Sequence, residues 1–515
     1  MRVDVALLSG QCASIEAAPG MRILEFRRLA EEELGTHIKD LVAADGRLLP
    51  GSLTLEQAEV EGQCLCATAR QATLVSRIGS AAFALLRADG SLVTWGDPFS
   101  GGNCLPVAAQ LRQVRQVAAS FGAFAAVLED GRVVAWGDPD FGADLASAKA
   151  QLTDVAEVFA TGFAFAALKS DGSVATWGEN YPGGDSRNVQ QQLTSVKHIA
   201  SSSYAFAAIR SDGSVITWGS KNPQLKEEVA SVVAICGSHE AFAALKADGR
   251  VVTWGSPKFG GDSSGVQQQL RGVKSLAASQ KAFAALRADG QVVCWGDAKC
   301  GGNCQAVQQQ LQEVHQLAAS HSAFAAVKAD GCVVTWGHPE HGGDSSGAQE
   351  QLRQVQQIVA AKSAFAAILG NGRVVVWGDP ARGANTCEVQ DQLYDVQQLC
   401  ASSNAFAALR GDGAVLTWGD AGFGGDSGRV RDQLEPRGRK RLRGEARSAV
   451  ELQLCLLPPE LRHSHQDGSL EDATIARWLF GRMAAWLKQL RPEQLQALLA
   501  AAPEQVRDAL RSSGL

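Results

Sequence analysis

The stretch VKSLAASQKAFAALRADGQVVCWGDAKCGGNCQAVQQQL, Val273 to Leu311, decides the reading of this chain. AFAALR and QVVCWG are short runs of strand-forming residues joined by Ala-Asp-Gly, a hairpin signal because glycine accepts the positive φ of the turn. VKSLAAS in front of them reads as a third strand. The unit is therefore a three-stranded antiparallel meander, or four-stranded if the connector adds an edge. The connector opens on a glycine turn. In the preceding unit, GGDSSGVQQQLRGV continues as one or two helical turns with Val266, Leu270 and Val273 on one side.

The same unit recurs. Trp-Gly pairs stand at Trp95, Trp136, Trp177, Trp218, Trp254, Trp295, Trp336, Trp377 and Trp418, spaced by 41 residues except for one interval of 36. The Phe of AFA keeps the same beat from Phe83 to Phe406, as does the Asp-Gly or Asn-Gly pair from Asp89 to Asp412. Nine in-phase copies make residues 73–434 one repeat array. A single small sheet cannot bury both its faces, so the units must stack. The repeat also explains 11 Trp against 3 Tyr, and much of the excess in 54 glycines. The short interval, between Trp218 and Trp254, carries SKNPQLKEEVA in place of its glycine turn and is the expected seam.

These residues resemble the propeller repeats of the regulator-of-chromosome-condensation family, whose units share Val-x-x-(Ile/Val)-Ala-(Ala/Ser), a short Leu-rich strand, Asp-Gly and Val-x-x-Trp-Gly, and the resemblance covers all nine units. The resemblance implies a mainly β fold, a β-propeller, with an open superhelical array as the alternative. A ring is favoured because it leaves no exposed edge strand. The chain departs from the family in unit length, in having more than its usual seven units, and in Gly-Gly-Asp-Ser or Gly-Gly-Asn-Cys after the Trp-Gly.

Residues 1–70 resemble the ubiquitin fold, a β-grasp domain. Two strands flank Ser9-Gly10, ILEFRRLAEEEL is amphipathic with Ile23, Phe26, Leu29, Ala30 and Leu34 on one face, and LVAADGRLL and EGQCLCA supply two more strands. The conjugating Leu-Arg-Gly-Gly tail is missing, so the resemblance implies a fixed ubiquitin-like domain. Leu8 and Val42 fall where ubiquitin presents its apolar recognition patch. The alternative is that Leu8 lies on an ordinary loop and Val42 packs a strand. Cys64 and Cys66 read as core thiols on one strand face.

After the array, residues 435–448 form a basic linker containing Arg437, Arg439, Lys440, Arg441 and Arg443, which reads as a nuclear-import signal or as a solvated basic run. Residues 449–515 turn helical: Ser469-Leu470-Glu471-Asp472 fits a capping box, and Ile475 to Leu490 follow at helical spacing. A small α-helical module is expected there.

No catalytic constellation emerges. The repeated Phe, Ala, Trp and Gly pack and turn but transfer nothing, and Walker, Gly-x-Ser-x-Gly and His-Glu-x-x-His motifs are missing. Cys300 with Cys304, and His338 with His341, have metal-like spacing. Yet Cys300 and His341 fill the same slot in adjacent units, and facing sheets stand about 10 Å apart. No metal or cofactor is expected, and the Gly-Gly-Asp-Ser turns read as turn chemistry, not calcium sites.

The residues just before each AFA vary on the fixed scaffold: Phe121, Phe163, Tyr204, His239, Glu240, Gln280, Lys281, His321, Lys362 and Asn404. In a ring they share one rim, and their mix suits a protein-binding face; neutral drift at exposed loops is the alternative. The connector after Trp-Gly is expected on the opposite rim or the outside.

The net charge of −6 argues against a nucleic-acid partner, no apolar run approaches the ~20 residues that span a bilayer, and the first 25 residues lack a signal-peptide core. The 12 cysteines follow no framework spacing, which fits a cytoplasmic or nuclear protein. The leading expectation is a non-enzymatic adaptor whose array grips a protein and whose first domain docks to ubiquitin or proteasome machinery. A substrate-recognition component of a ubiquitin ligase is one alternative; the HECT nucleophile is not in evidence, since Cys455 sits in an apolar stretch. Guanine-nucleotide exchange on a small GTPase is the other.

Overall fold

A computed structural model describes residues 1–49, 51, 53–179, 183–219 and 229–435. The seam expected at 220–228, the basic run, Cys455 and the helical module lie outside these residues. The chain divides into two compact units, residues 1–411 with 415–430, and residues 412–414 with 431–515. The second contains, among the described residues, one helical turn, Arg431–Leu434.

The first unit begins with β1 (Arg2–Leu7), β2 (Cys12–Glu16), α1 (Ile23–Leu34), β3 (Ile38–Val42) and β4 (Cys64–Ala69). The four strands form one sheet in the order β2-β1-β4-β3, with β1 and β4 parallel. Ile23, Phe26, Ala30 and Leu34 of the helix are buried with Val3, Val5, Ile15, Leu41 and Leu65; Leu29 is only partly covered. Gly35 ends the helix in the left-handed conformation, φ 61°. Cys64 and Cys66 do not belong to this core. Leu65 and Ala67 point inward, so the alternation of the strand turns both thiols to solvent.

Among the described residues, nine three-stranded antiparallel sheets follow, at 73–96, 114–137, 155–178, 196–219, 232–255, 273–296, 314–337, 355–378 and 396–419. Each is a meander. The first strands of neighbouring sheets touch one another and line the interior of the array. In every sheet after the first, a bulge interrupts the pairing of that strand, as between Val273 and Ser275, which sharpens its twist. The ninth sheet returns to the first: Ser403 N–H donates to Ser80 O at 2.9 Å, and Gln398 Oε1 accepts from Leu74 N–H at 3.0 Å. The described sheets thus close into a ring.

The apolar material is divided among the gaps between sheets. Ala282, Ala284, Leu286 and Val292 of the sixth sheet, for example, pack with Leu311 of the connector and with Phe324 and Trp336 of the seventh. The connector carries two 3-10 turns, Pro257–Phe259 and Ser264–Val266 in the unit after Trp254, and Leu270 beyond them is fully buried. Alanines flanking each Phe keep the sheets close. Phe and Trp of one sheet are cross-strand partners, as Phe283 and Trp295, and their rings stack at centroid distances between 5.1 and 5.5 Å.

The Trp-Gly pair has a steric cause. Gly296 has φ 103°, and a Cβ there would stand 2.5 Å from Lys281 O. The first glycine of the connector's Gly-Gly turn is equally constrained: a Cβ on Gly260 would stand 2.7 Å from the Phe283 ring, and its carbonyl accepts the Trp295 indole N–H at 3.0 Å.

Arginines hold the N-terminal domain to the second sheet. Glu129 accepts from both Arg27 and Arg70, all three side chains being nearly buried. Arg28 donates to Gln113 Oε1 at 2.9 Å, and Arg70 to Val114 O at 3.2 Å. Burial alone would push the Glu129 carboxyl up, but the two guanidiniums outweigh it and hold it below the ordinary carboxylate value.

Candidate functional site

In an antiparallel meander the turn from first to second strand and the exit of the third strand lie at one end. Ala123 pairs with Gly137, so the residues before AFA and those after Trp-Gly meet: Asp138 N–H donates to Gly122 O at 2.9 Å, and Asp297 N–H to Lys281 O at 2.9 Å. The start of the connector therefore sits on the same rim as the pre-AFA residues. This corrects the sequence-based expectation, which placed it on the opposite rim or the outside. The connector's first turn folds back across the sheet end, where Ser120 Oγ donates to Phe141 O at 2.9 Å and Ser320 Oγ to His341 O at 2.8 Å.

Amide bonds tie the pre-AFA turns from sheet to sheet. Phe121 N–H donates to Gly162 O, Gly162 to Ser203, His239 to Gln280, Gln280 to His321, His321 to Lys362 and Lys362 to Ser403, at 2.8 to 3.2 Å. Between the first and second sheets the belt changes, because Ser80 N–H donates to Arg77 O of its own chain segment at 2.9 Å. Phe121, Phe163, Tyr204, His239, Gln280, Lys281, His321, Lys362 and Asn404 all lie on this rim half-buried, and Glu240 is exposed.

An aromatic arc crosses the second to fifth sheets. Phe121 meets Phe163 edge-on at 5.4 Å, Phe163 stacks between Phe141 at 5.1 Å and Tyr204 at 5.4 Å, and Tyr204 meets His239 edge-on at 4.7 Å. His239 then contacts Phe259 at 5.3 Å, and the Lys281 ammonium lies 5.6 Å from the same ring. From there the rim turns to histidine and basic residues. His321 and His341 are 5.6 Å apart, His341 and His338 4.9 Å, and Arg382 donates to Ser363 Oγ at 3.3 Å. Burial, and then the charge of Lys362 and neighbouring basic groups, push His321 down to about 4. Burial also lowers His239 and His341.

The first sheet supplies the centre. Its first strand ends at Val75, three residues long, and residues 76–79 cross the interior. Arg77 donates to Ala160 O of the third sheet at 2.6 Å and lies 5.4 Å from the Phe121 ring, while Ile78 packs against the cluster between the seventh and eighth sheets.

Phe141, Phe259, His341 and Arg382 join the site without having been read as rim residues. Each stands five residues after a Trp, and this slot varies freely at fixed spacing as the pre-AFA slots do. Arg77 lacks such a signal, because only one unit carries it. Away from the ring, Leu8 is 86% exposed on the turn after β1, and Val42 ends β3 half-buried. Among the described residues no group of three or more His, Cys, Asp or Glu could hold a metal ion, and no helix is long and apolar enough to cross a membrane.

Residues 114–143, the second sheet with its following turn, match the family model described as the regulator of chromosome condensation (RCC1) repeat. No curated protein matches the chain. Among solved structures, Prp20p from Saccharomyces cerevisiae, described with its binding properties to Gsp1p and histones, is 17% identical with TM-score 0.30, covering 44% of this chain and 72% of its own. Human WBSCR16 is 17% identical with TM-score 0.33, covering 57% and 86%. The computationally designed Ika8 protein is 15% identical with TM-score 0.34, covering 60% and 96%.

Proposed function

We propose that this chain is a non-enzymatic protein-interaction scaffold whose nine-unit, propeller-type ring binds a protein through the rim that carries the aromatic arc. The arc itself is the observation behind this reading. Consecutive sheets place Phe121, Phe163, Tyr204 and His239 in mutual contact at positions where the scaffold does not dictate the residue. Half-buried aromatic side chains with a polar surround are the composition of an interface core and its rim.

In the same reading residues 1–70 are a ubiquitin-like domain, and Leu8 with Val42 docks it to ubiquitin-pathway or proteasome components in the cytoplasm or nucleus. The ring would then present what it holds to that machinery, alone or as the substrate-recognition part of a ligase. The basic run Arg437 to Arg443 would serve nuclear import.

Affinity capture from cell extract with the full chain tests both halves. The pair Phe163→Ser and Tyr204→Ser should remove one set of partners, and Leu8→Asp a different set. If the rim pair leaves every captured partner in place, the rim is not the binding face. If Leu8→Asp leaves ubiquitin-handling proteins bound, or none is captured at all, the docking role of the first domain fails. Accelerated nucleotide release from small GTPases would instead favour exchange.

A further inference from the structure

We propose that the centre of this rim receives an acidic segment of the partner protein, with one of its carboxylates seated on Arg77. The inference rests on the rim being the protein-binding face and names the chemistry of what it takes.

Arg77 is the first ground. It is hemmed in by protein, and desolvation brings its guanidinium down to about 10. Among the described residues no carboxylate pairs with it. Its short contact is to the Ala160 carbonyl, the second, to Ser202 O, is long at 3.5 Å, and Phe121 offers its ring. A guanidinium has five donors in a fork that fits a carboxylate, and an uncompensated cation in such surroundings gains most from a counter-charge.

The second ground is the arc beside it. The charged and titratable groups acting on His321 are Lys362, His341, His239 and Lys281, and each lowers its pKa as a positive neighbour does. His341 faces His338, Arg382 and Lys362, with Glu340 opposing. His239 faces Lys281, with Glu240 opposing. Glu240 and Glu340 are both exposed, whereas Lys281 and Lys362 are half-buried and Arg382 is paired with Asp379 at 3.3 Å. The inner rim is thus positive on a chain whose net charge is −6, a local inversion that attracts an anion by field.

Nucleic acid would satisfy the charge but not the aromatics. Phe141, Phe163 and Tyr204 are stacked on one another, so the interior ring faces that bases would need are already covered. Their outer edges still offer contact to apolar side chains. A short peptide with acidic residues next to an aromatic or aliphatic one matches both arcs. Its carboxylates would raise the neighbouring histidine pKa values, so binding takes up protons and tightens as pH falls from 8 to 6.

Fluorescence polarisation with the full chain tests this. The probe is a fluorescein-labelled twelve-residue peptide of alternating Glu and Gly ending in Phe-Phe. The same peptide with Lys for Glu and a twelve-nucleotide oligo-dT serve as comparisons. The acidic probe should bind at 50 mM salt, weaken at least tenfold at 300 mM, and weaken at least tenfold in Lys281→Glu/Lys362→Glu and in Arg77→Gln. The paired surface variant keeps the test valid if Arg77→Gln fails to fold. No binding of the acidic probe, equal or tighter binding of the lysine peptide or oligo-dT, or unchanged affinity in the folded paired variant would overturn the proposal. If partners are still lost in Phe163→Ser/Tyr204→Ser while the acidic probe does not bind, the rim stands and only its acidic preference falls.

Discussion

The indole N–H of Trp95 donates to the carbonyl of Gly424 at 3.2 Å, across 329 residues of sequence. Elsewhere this bond runs from a Trp to the glycine 35 residues before it, as from Trp295 to Gly260 or Trp336 to Gly301, both at 3.0 Å. The first Trp of the array has no preceding unit, and the last unit's turn takes that place. The contact that joins the ends of the ring is the contact that joins its members. Trp254, which follows the short interval, finds no acceptor among the described residues.

Trp95→Phe should therefore cost as much as Trp295→Phe, about 1–3 kcal/mol for a buried carbonyl left without its donor. Urea denaturation of the two variants measures it. A neutral Trp95→Phe beside a costly Trp295→Phe would mean that the ends of the array are apart in solution.

Glu129→Ala leaves Arg27 and Arg70 facing each other without their shared carboxylate, and should loosen the first domain by about 3 kcal/mol, as expected for breaking a largely buried pair. Faster proteolytic cleavage within residues 70–73 is the readout. The Glu129 pKa is depressed on folding, so its contribution is complete above the ordinary value of 4.5 and disappears as pH falls through the lower, folded value. Cleavage of the native chain should accelerate only below pH 4.5, while the variant should be insensitive to that step.

Cys294 and Cys304 occupy a slot that Thr253 and Ser263 fill with hydroxyls 2.9 Å apart, and Thr335 and Ser345 at 3.0 Å. Gln308 accepts from the Cys304 thiol at 3.4 Å as Gln267 does from Ser263 at 2.9 Å. The double substitution Cys294→Thr/Cys304→Ser should thus change stability by less than about 1 kcal/mol, and each single substitution should cost more than the pair. A double-mutant cycle by chemical denaturation checks the coupling. Additive effects would show that the two thiols do not act as a pair.

His321 falls from 6.5 to about 4 on folding. A depressed histidine contributes stability that is complete above 6.5 and is lost as pH drops toward 4, because the unfolded chain takes up the proton first. His321→Gln should flatten the stability profile between pH 6.5 and 4 while leaving pH 8 little changed. An unaltered slope in melts across that range would place the proton uptake on other groups.

Much of the architecture was legible because it repeats. The beat of Phe, Asp-Gly and Trp marked the three strands of each sheet, and the buried face of α1 followed from helical spacing. The exposed thiols Cys64 and Cys66 were misread because alternation gives two faces without saying which is inward; Leu65 and Ala67 decide it by packing. Half the rim was visible as variation before AFA. The other half, Phe141, Phe259, His341 and Arg382, was assigned to the wrong side, because a connector's direction depends on how antiparallel strands end.

By itself the sequence determined the repeating unit and its obligatory residues. Trp is followed by Gly because a Cβ there meets a carbonyl of the same hairpin, a constraint local enough to appear in every copy. Tertiary structure alone decided that Trp95 meets Gly424, that Glu129 gathers two arginines from 102 and 59 residues away, and that Arg77 reaches the third sheet. Each of these contacts joins segments distant in sequence. Local propensity repeats with the unit, but such a contact exists only after the small rotations from sheet to sheet have summed to a closed ring.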